Sequence, residues 1–163
     1  MGEKARILVV DDDDGIRKAM EINLEEEGYD VETAETGMAA LKKISSAFYN
    51  LALIDIRLGD MDGIDLLELI NEKCPEMVKI MITGYPTLKN AIEAVNKGAD
   101  GYILKPVKFD ELLAKIKDFL RRQQEDKKYS EEKVASFIEN RVREIRSLRD
   151  QELEAIEKYY KPI

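Results

Sequence analysis

The sequence predicts an α/β fold: a five-stranded parallel sheet, doubly wound by helices on both faces, with a C-terminal helical extension. Three observations carry this. Short β-branched or leucine-rich runs alternate with longer stretches at helical spacing, five of each within about 120 residues, which is the pattern of a parallel sheet with crossover helices. The runs Ile7 to Val10 and Leu51 to Ile54 are continuously apolar, as strands covered on both faces are. Turn chemistry (Gly, Pro or clustered Asp) separates run from helix. The crossovers are expected to be right-handed.

Arg6 to Val10 (RILVV) is the first strand, ended abruptly by Asp11-Asp12-Asp13-Asp14-Gly15. Ile16, Ala19, Met20 and Leu24 then recur at helical spacing, and Gly28 stops that helix. Val31 to Ala34 is the second strand, and Gly37 opens a helix with Ala40, Leu41 and Ile44 inward. Leu51 to Ile54 is the third strand, tipped by Asp55. Gly63 begins a helix that ends before Cys74-Pro75, because the residue ahead of proline disfavours the helical region. Val78 to Ile82 finishes at Thr83-Gly84, and a helix from Asn90 to Lys97 is closed by Gly98. The fifth strand, Gly101 to Leu104, meets Lys105-Pro106. Phe109, Leu112, Leu113, Ile116, Phe119 and Leu120 form the last strong apolar face.

Composition excludes several classes of function. Net charge is -8 over 163 residues, which disfavours general binding to nucleic acid or anionic membranes. No apolar run reaches the roughly 18 residues needed to span a bilayer, and no secretory h-region opens the sequence. Cys74 is the single cysteine, so no internal disulfide forms and a reducing, cytoplasmic setting is expected. There is no histidine, which removes His-dependent triads and His-ligated metals.

The parallel sheet gives the polar strand ends their meaning. Asp11 and Asp12 follow the first strand, Asp55 the third, Thr83 the fourth and Lys105 the fifth. In a parallel sheet all of these lie at one carboxyl edge, where open α/β sheets bind ligands. Taken singly, an Asp there caps the next helix, a Thr caps a turn and a Lys points to solvent. Their convergence is the signal. Clustered carboxylates repel one another and need compensation, which a hard divalent cation, Mg²⁺ or alternatively Mn²⁺, supplies.

The motifs VVDDDD, LIDIRLGDMDG, MITG and GYILKP resemble those of response-regulator receiver domains, the CheY-like phosphoacceptor family of two-component signalling, over about residues 5 to 122. The resemblance implies that Asp55 is the phosphoacceptor. It implies a Mg²⁺ site made by Asp11, Asp12, Asp55 and the backbone carbonyl of Arg57. It makes Thr83 the hydroxyl that meets the phosphoryl group, Lys105 its ammonium partner, and Tyr102 the aromatic that swings inward on activation. The Lys105-Pro106 bond is expected to be cis. Gly59 stands where the family often has proline, which predicts a looser loop. Arg57 and Tyr85, each two residues beyond a site residue, are bulky beside the path of attacking water, and are expected to slow hydrolysis of a phospho-aspartate. The alternative for Arg57 is a side chain in solvent.

Residues 1–122 are thus expected to form the receiver, and 123–163 a helical extension, coiled coil or linker. Residues 121–163 hold 11 Lys/Arg against 10 Asp/Glu, so the acidity belongs to the receiver. No Gly or Pro occurs from Val107 to Lys161. Val134, Ile145 and Ile156 are spaced by eleven, as are Phe137, Leu148 and Tyr159, and Val142 with Leu153. A period of about 3.67 residues per turn keeps such a stripe on one face. It is expected to pair with a second copy as a homodimer or with a partner helix, the alternative being that it folds back on its own receiver. No helix-turn-helix signature is present, so no direct DNA binding is expected. The expected function is a regulator phosphorylated by a sensor histidine kinase, an enzyme only toward its own phosphoryl group. The rivals are a phosphorelay intermediate serving a histidine phosphotransfer protein, the receiver fragment of a longer regulator, and a Mg²⁺-dependent phosphohydrolase. The last usually has a second Asp two residues after its nucleophile, where this chain has Arg57.

Overall fold

A computed structural model describes residues 3–159. The strands are β1 (Arg6–Val10), β2 (Asp30–Ala34), β3 (Leu51–Asp55), β4 (Val78–Thr83) and β5 (Gly101–Leu104). The helices are α1 (Asp14–Glu26), α2 (Gly37–Ser46), α3 (Gly63–Lys73), α4 (Leu88–Asn96) and α5 (Phe109–Tyr159). All strand pairs are parallel, in the order β2-β1-β3-β4-β5. The chain order reverses direction between β1 and β3, which opens a crevice at their carboxyl ends.

The continuous apolar strands are explained by two cores. Side chains alternate across a strand, so Leu8, Val10, Ala52, Ile54 and Met81 pack with α2, α3 and Ala94 of α4 on one face. Ile7, Val9, Leu51, Leu53 and Ile80 pack on the other face with Met20 and Leu24 of α1 and Leu112 and Ile116 of α5. One residue breaks the pattern. Lys79 in β4 is buried, and its ammonium donates to Asn71 Oδ1 at 2.7 Å and to the Pro75 carbonyl at 3.3 Å. Desolvation holds its pKa below the usual lysine value, with the charge of Asp100 opposing.

Helix starts are set by side-chain caps, as propensity dictates. Asp13 accepts from the Ile16 amide, Thr36 from Ala39 and Asp62 from Ile64. Thr87 accepts from the Asn90 amide at 3.1 Å, which starts α4 at Leu88, two residues ahead of the sequence expectation. α4 ends at Asn96, and Gly98 supplies the positive φ of 105° that turns the chain toward β5.

The chain divides into one compact unit through Gln123 and a second from Gln124. Within the first, Gln123 Nε2 donates to the carbonyls of Asn50 and Glu76, each at 2.9 Å, which anchors that turn of α5. The second unit is helical through Tyr159, and its described side chains are exposed. Residues 160–163 of the expected extension, and residues 1 and 2 of the expected receiver, lie outside the described residues. No helix among the described residues is long and apolar enough to cross a membrane.

Candidate functional site

The carboxyl edge of the sheet gathers the acids of two adjacent strands. β1 ends at Val10, which pairs with Ile54, so Asp11 and Asp55 leave neighbouring strands side by side. Both are buried, while Asp12 is exposed. One carboxylate oxygen from each of Asp11, Asp12 and Asp55 lies within 4.8 Å of the others. The Lys105 ammonium bridges two of them, at 3.1 Å from Asp11 Oδ2 and 3.2 Å from Asp55 Oδ2. The Lys105–Pro106 bond is cis, and the Lys105 amide donates to the Thr83 carbonyl at 2.7 Å. Thr83 is buried one residue beyond Ile82, which pairs with Asp55. Its hydroxyl accepts from the Tyr85 amide at 3.0 Å.

The electrostatics follow from this crowding. Burial pushes the Asp55 pKa up and Asp11 adds to it. Lys105 and the Arg57 amide, 3.4 Å from Asp55 Oδ1, pull it down without cancelling the rise. Burial works against the charged Lys105, but bonds and attraction from Asp11 and Asp55 outweigh it and raise its pKa. Three carboxylates with one shared ammonium leave an excess of negative charge and free oxygen lone pairs. That donor set suits a hard, oxygen-seeking divalent cation.

Tyr102 packs among the residues on the α2–α3 side of the sheet. Its hydroxyl is buried without a hydrogen bond of proper geometry among the described residues. Burial raises its pKa, and the nearby Thr83 hydroxyl partly offsets this. Arg57 and Tyr85 are both exposed. The Arg57 guanidinium carbon lies 3.8 Å from the centroid of the Tyr85 ring, so the two bulky residues form one stacked pair beside the edge.

In the β3–α3 loop Gly59 is exposed, and its neighbour Asp60 is the residue that makes contacts. Asp60 accepts from the amides of Gly37 at 2.9 Å and Met38 at 3.0 Å, the start of α2. Those two bonds, Met38 first, hold its carboxyl below the usual range. Asp62 bridges back to Arg57 and caps α3. Gly63 is forced by contact: a Cβ there would stand 2.1 Å from the Asp55 carbonyl oxygen. Arg17 of α1 donates to the Asp11 carbonyl at 2.7 Å. Asp60, Gly63 and Arg17 support the site without bonding to its carboxylates, and the strand-end pattern alone did not reveal them.

The fold and this edge define an open, doubly wound α/β protein with a buried acid–lysine cluster at the switch point of its sheet. The chain belongs to the response regulator receiver domain family, whose model matches residues 7–117. It is 48% identical to a CheY-like receiver domain protein from Methanospirillum hungatei, with a TM-score of 0.75 over 76% of this chain and 99% of that one. It is 37% identical to the response regulator TrrA of Thermotoga maritima, solved in complex with Mg²⁺ and BeF, with a TM-score of 0.65 over 71% of this chain and 98% of that one. The transcriptional regulatory protein ZraR of Klebsiella oxytoca is 37% identical over 119 residues, which are 73% of this chain and 27% of ZraR. The chain thus spans about a quarter of the length of that relative, and its matched part is the receiver domain of two-component response regulators.

Proposed function

We propose that this receiver accepts a phosphoryl group on Asp55 from a sensor histidine kinase and passes the resulting change to a protein partner. The supporting observation is the Lys105 ammonium within 3.2 Å of Asp55 and 3.1 Å of Asp11, at the carboxyl edge of a parallel sheet. A carboxylate oxygen of Asp55 attacks the phosphorus of the donor's phosphohistidine, the P–N bond breaks and the imidazole leaves. Asp11, Asp12, Asp55 and the Arg57 carbonyl are the residues that would hold Mg²⁺, which supplies neutralisation of charge between acid cluster and phosphoryl oxygens. Lys105 is placed to exchange its bond with Asp55 for one with a phosphoryl oxygen. The Thr83 hydroxyl, already accepting from Tyr85, keeps its proton to donate. Tyr102 is packed inward beside it, so a shift of Thr83 changes the packing around its unpaired hydroxyl.

Output is proposed to run through protein contacts, with the segment from residue 124 as an association element for a second copy or a partner helix. The -8 net charge supports protein rather than DNA contact by this chain. The chain then catalyses only its own phosphoryl gain and loss. Incubation with acetyl phosphate and MgCl₂, followed by intact-mass measurement, tests the assignment. The parent chain should gain one acid-stable, base-labile phosphoryl group and Asp55→Asn none. Equal gain by Asp55→Asn would overturn it.

A further inference from the structure

The stripe on the second unit contains enough charge asymmetry to choose its partner. From Val134 to Tyr159, nine large apolar side chains on α5 are between 42% and 91% exposed. A helix surface of this kind is marginal unless covered. At about 98° per residue, the angle of an eleven-residue repeat, Val134, Ile145 and Ile156 form its centre line. One side of the stripe holds Phe137, Leu148 and Tyr159, with Arg141 and Glu152 between them and the centre line and Lys133 and Glu144 at the outer margin. The other holds Ile138, Val142 and Leu153, with Arg149 beside the centre line, Glu131 level with Val142, and Arg146 and Glu157 at the outer margin. Arg141 is already paired within the helix to Glu144 at 3.1 Å.

We infer that this stripe is covered by a second copy of the same chain, parallel and in register. The inference rests on the proposed association role of the segment and fixes its partner and orientation. A two-fold axis along the helices sets one side of the stripe against the opposite side of the partner's. Glu144 and Glu152 then face the partner's Arg146 and Arg149, and Lys133 faces the partner's Glu131; these opposed pairs outnumber the like-charge approaches of Arg141 to the partner's Arg146 and of Glu152 to the partner's Glu157. An axis across the helices sets each side against itself. That arrangement gains Arg141 against the partner's Glu152, but gathers Arg146 and Arg149 of both copies into one cluster of four cations. Opposed charges beside an apolar seam select orientation in paired helices in this way. The centre line agrees: in register, each of Val134, Ile145 and Ile156 meets its own copy, and three apolar layers close.

The test uses the full chain with Cys74→Ser, carrying Val134→Cys or Ile156→Cys singly, under a mild oxidant. Parallel pairing joins both variants into disulfide-linked dimers, because each position meets itself. In antiparallel pairing centred on Ile145, two copies of position 134 lie roughly 33 Å apart at 1.5 Å per residue, as do two copies of position 156, and neither variant cross-links. Light scattering and charge reversal complete the experiment. Arg146→Glu with Arg149→Glu should raise the dimer dissociation constant by about tenfold or more, for several weakened pairs. Adding Glu144→Arg and Glu152→Arg should restore it. Under antiparallel pairing the first reversal only exchanges four cations for four anions, and affinity does not fall. A dimer that fails to cross-link at both positions overturns the orientation and leaves self-association standing. A chain monomeric at high concentration overturns both.

Discussion

Replacing Lys105 with Ala isolates what the ammonium does in the metal-free protein. Its side chain is 21% exposed, while those of Asp11 and Asp55 are 5% and 8% exposed. Removing it leaves two buried carboxylates facing each other with no shared cation. Breaking a fully buried pair costs about 3–5 kcal/mol. Partial exposure of the lysine places this case lower, at about 2 kcal/mol, or roughly 8 °C in Tm for a domain of this size. The pH dependence has a definite sign. Asp55 already has a raised pKa in the folded state, so its ionised form opposes folding above that pKa. Without Lys105 the opposition grows, and the deficit should shrink as pH falls through the folded pKa toward the ordinary carboxylate range. A divalent cation occupying the acid cluster would replace the lost charge. Thermal unfolding with and without 10 mM-order MgCl₂ (roughly physiological to excess) should show a larger metal-induced rise in the variant than in the parent chain. A variant as stable as the parent without metal, at neutral pH, refutes the reasoning.

Gly63→Ala drives a methyl into the Asp55 carbonyl; it should cost about 3 kcal/mol in chemical denaturation and slow phosphoryl gain by displacing Asp55. Arg57→Ala or Tyr85→Ala removes a stacked pair worth about 0.5–1 kcal/mol. If that pair guards the water path, loss of phosphoryl from Asp55, followed by intact mass, should quicken about two- to fivefold. Lys79 has a lowered pKa, so its charge opposes folding at neutral pH and stability should rise as pH climbs through the folded pKa toward 10.5. Urea denaturation between pH 7 and 10 should show that rise in the parent and a flatter profile in Lys79→Met.

The strands and most of the helices were legible because their information is local. RILVV, LALI and VKIMI read as buried strands from β-branched content and length, and the sheet places all three in its interior. α4 shows where local reading loses accuracy. Its apolar residues begin at Leu88, but Pro86-Thr87 reads equally as loop or cap, and only the Thr87 bond to the Asn90 amide decides. Lys79 marks a sharper limit. Reading VKIMI as a buried strand leaves the charge of its lysine without a partner. Its charge is accommodated by Asn71 and the Pro75 carbonyl, partners 8 and 4 residues away that no period in the sequence connects.

The site divides along the same line. Asp11, Asp12, Asp55, Thr83 and Lys105 could be named because they stand at the ends of four strands, the first two sharing β1, and a parallel sheet converts chain order into a shared edge. The residues that hold them were silent for a physical reason. Asp60 reads as one more loop aspartate until its carboxylate meets the amides of Gly37 and Met38, 23 and 22 residues away in sequence. Gly63 reads as a helix start, a role several residues fill. What forbids them is the Asp55 carbonyl, which approaches only because the loop doubles back from β3 into α3. Strand ends announce chemistry by residue type, whereas supports are defined by close approach between segments. In this chain the Arg57–Tyr85 stack lies between the two: the sequence sets each two residues beyond a strand end, and only the 3.8 Å contact joins them into one pair.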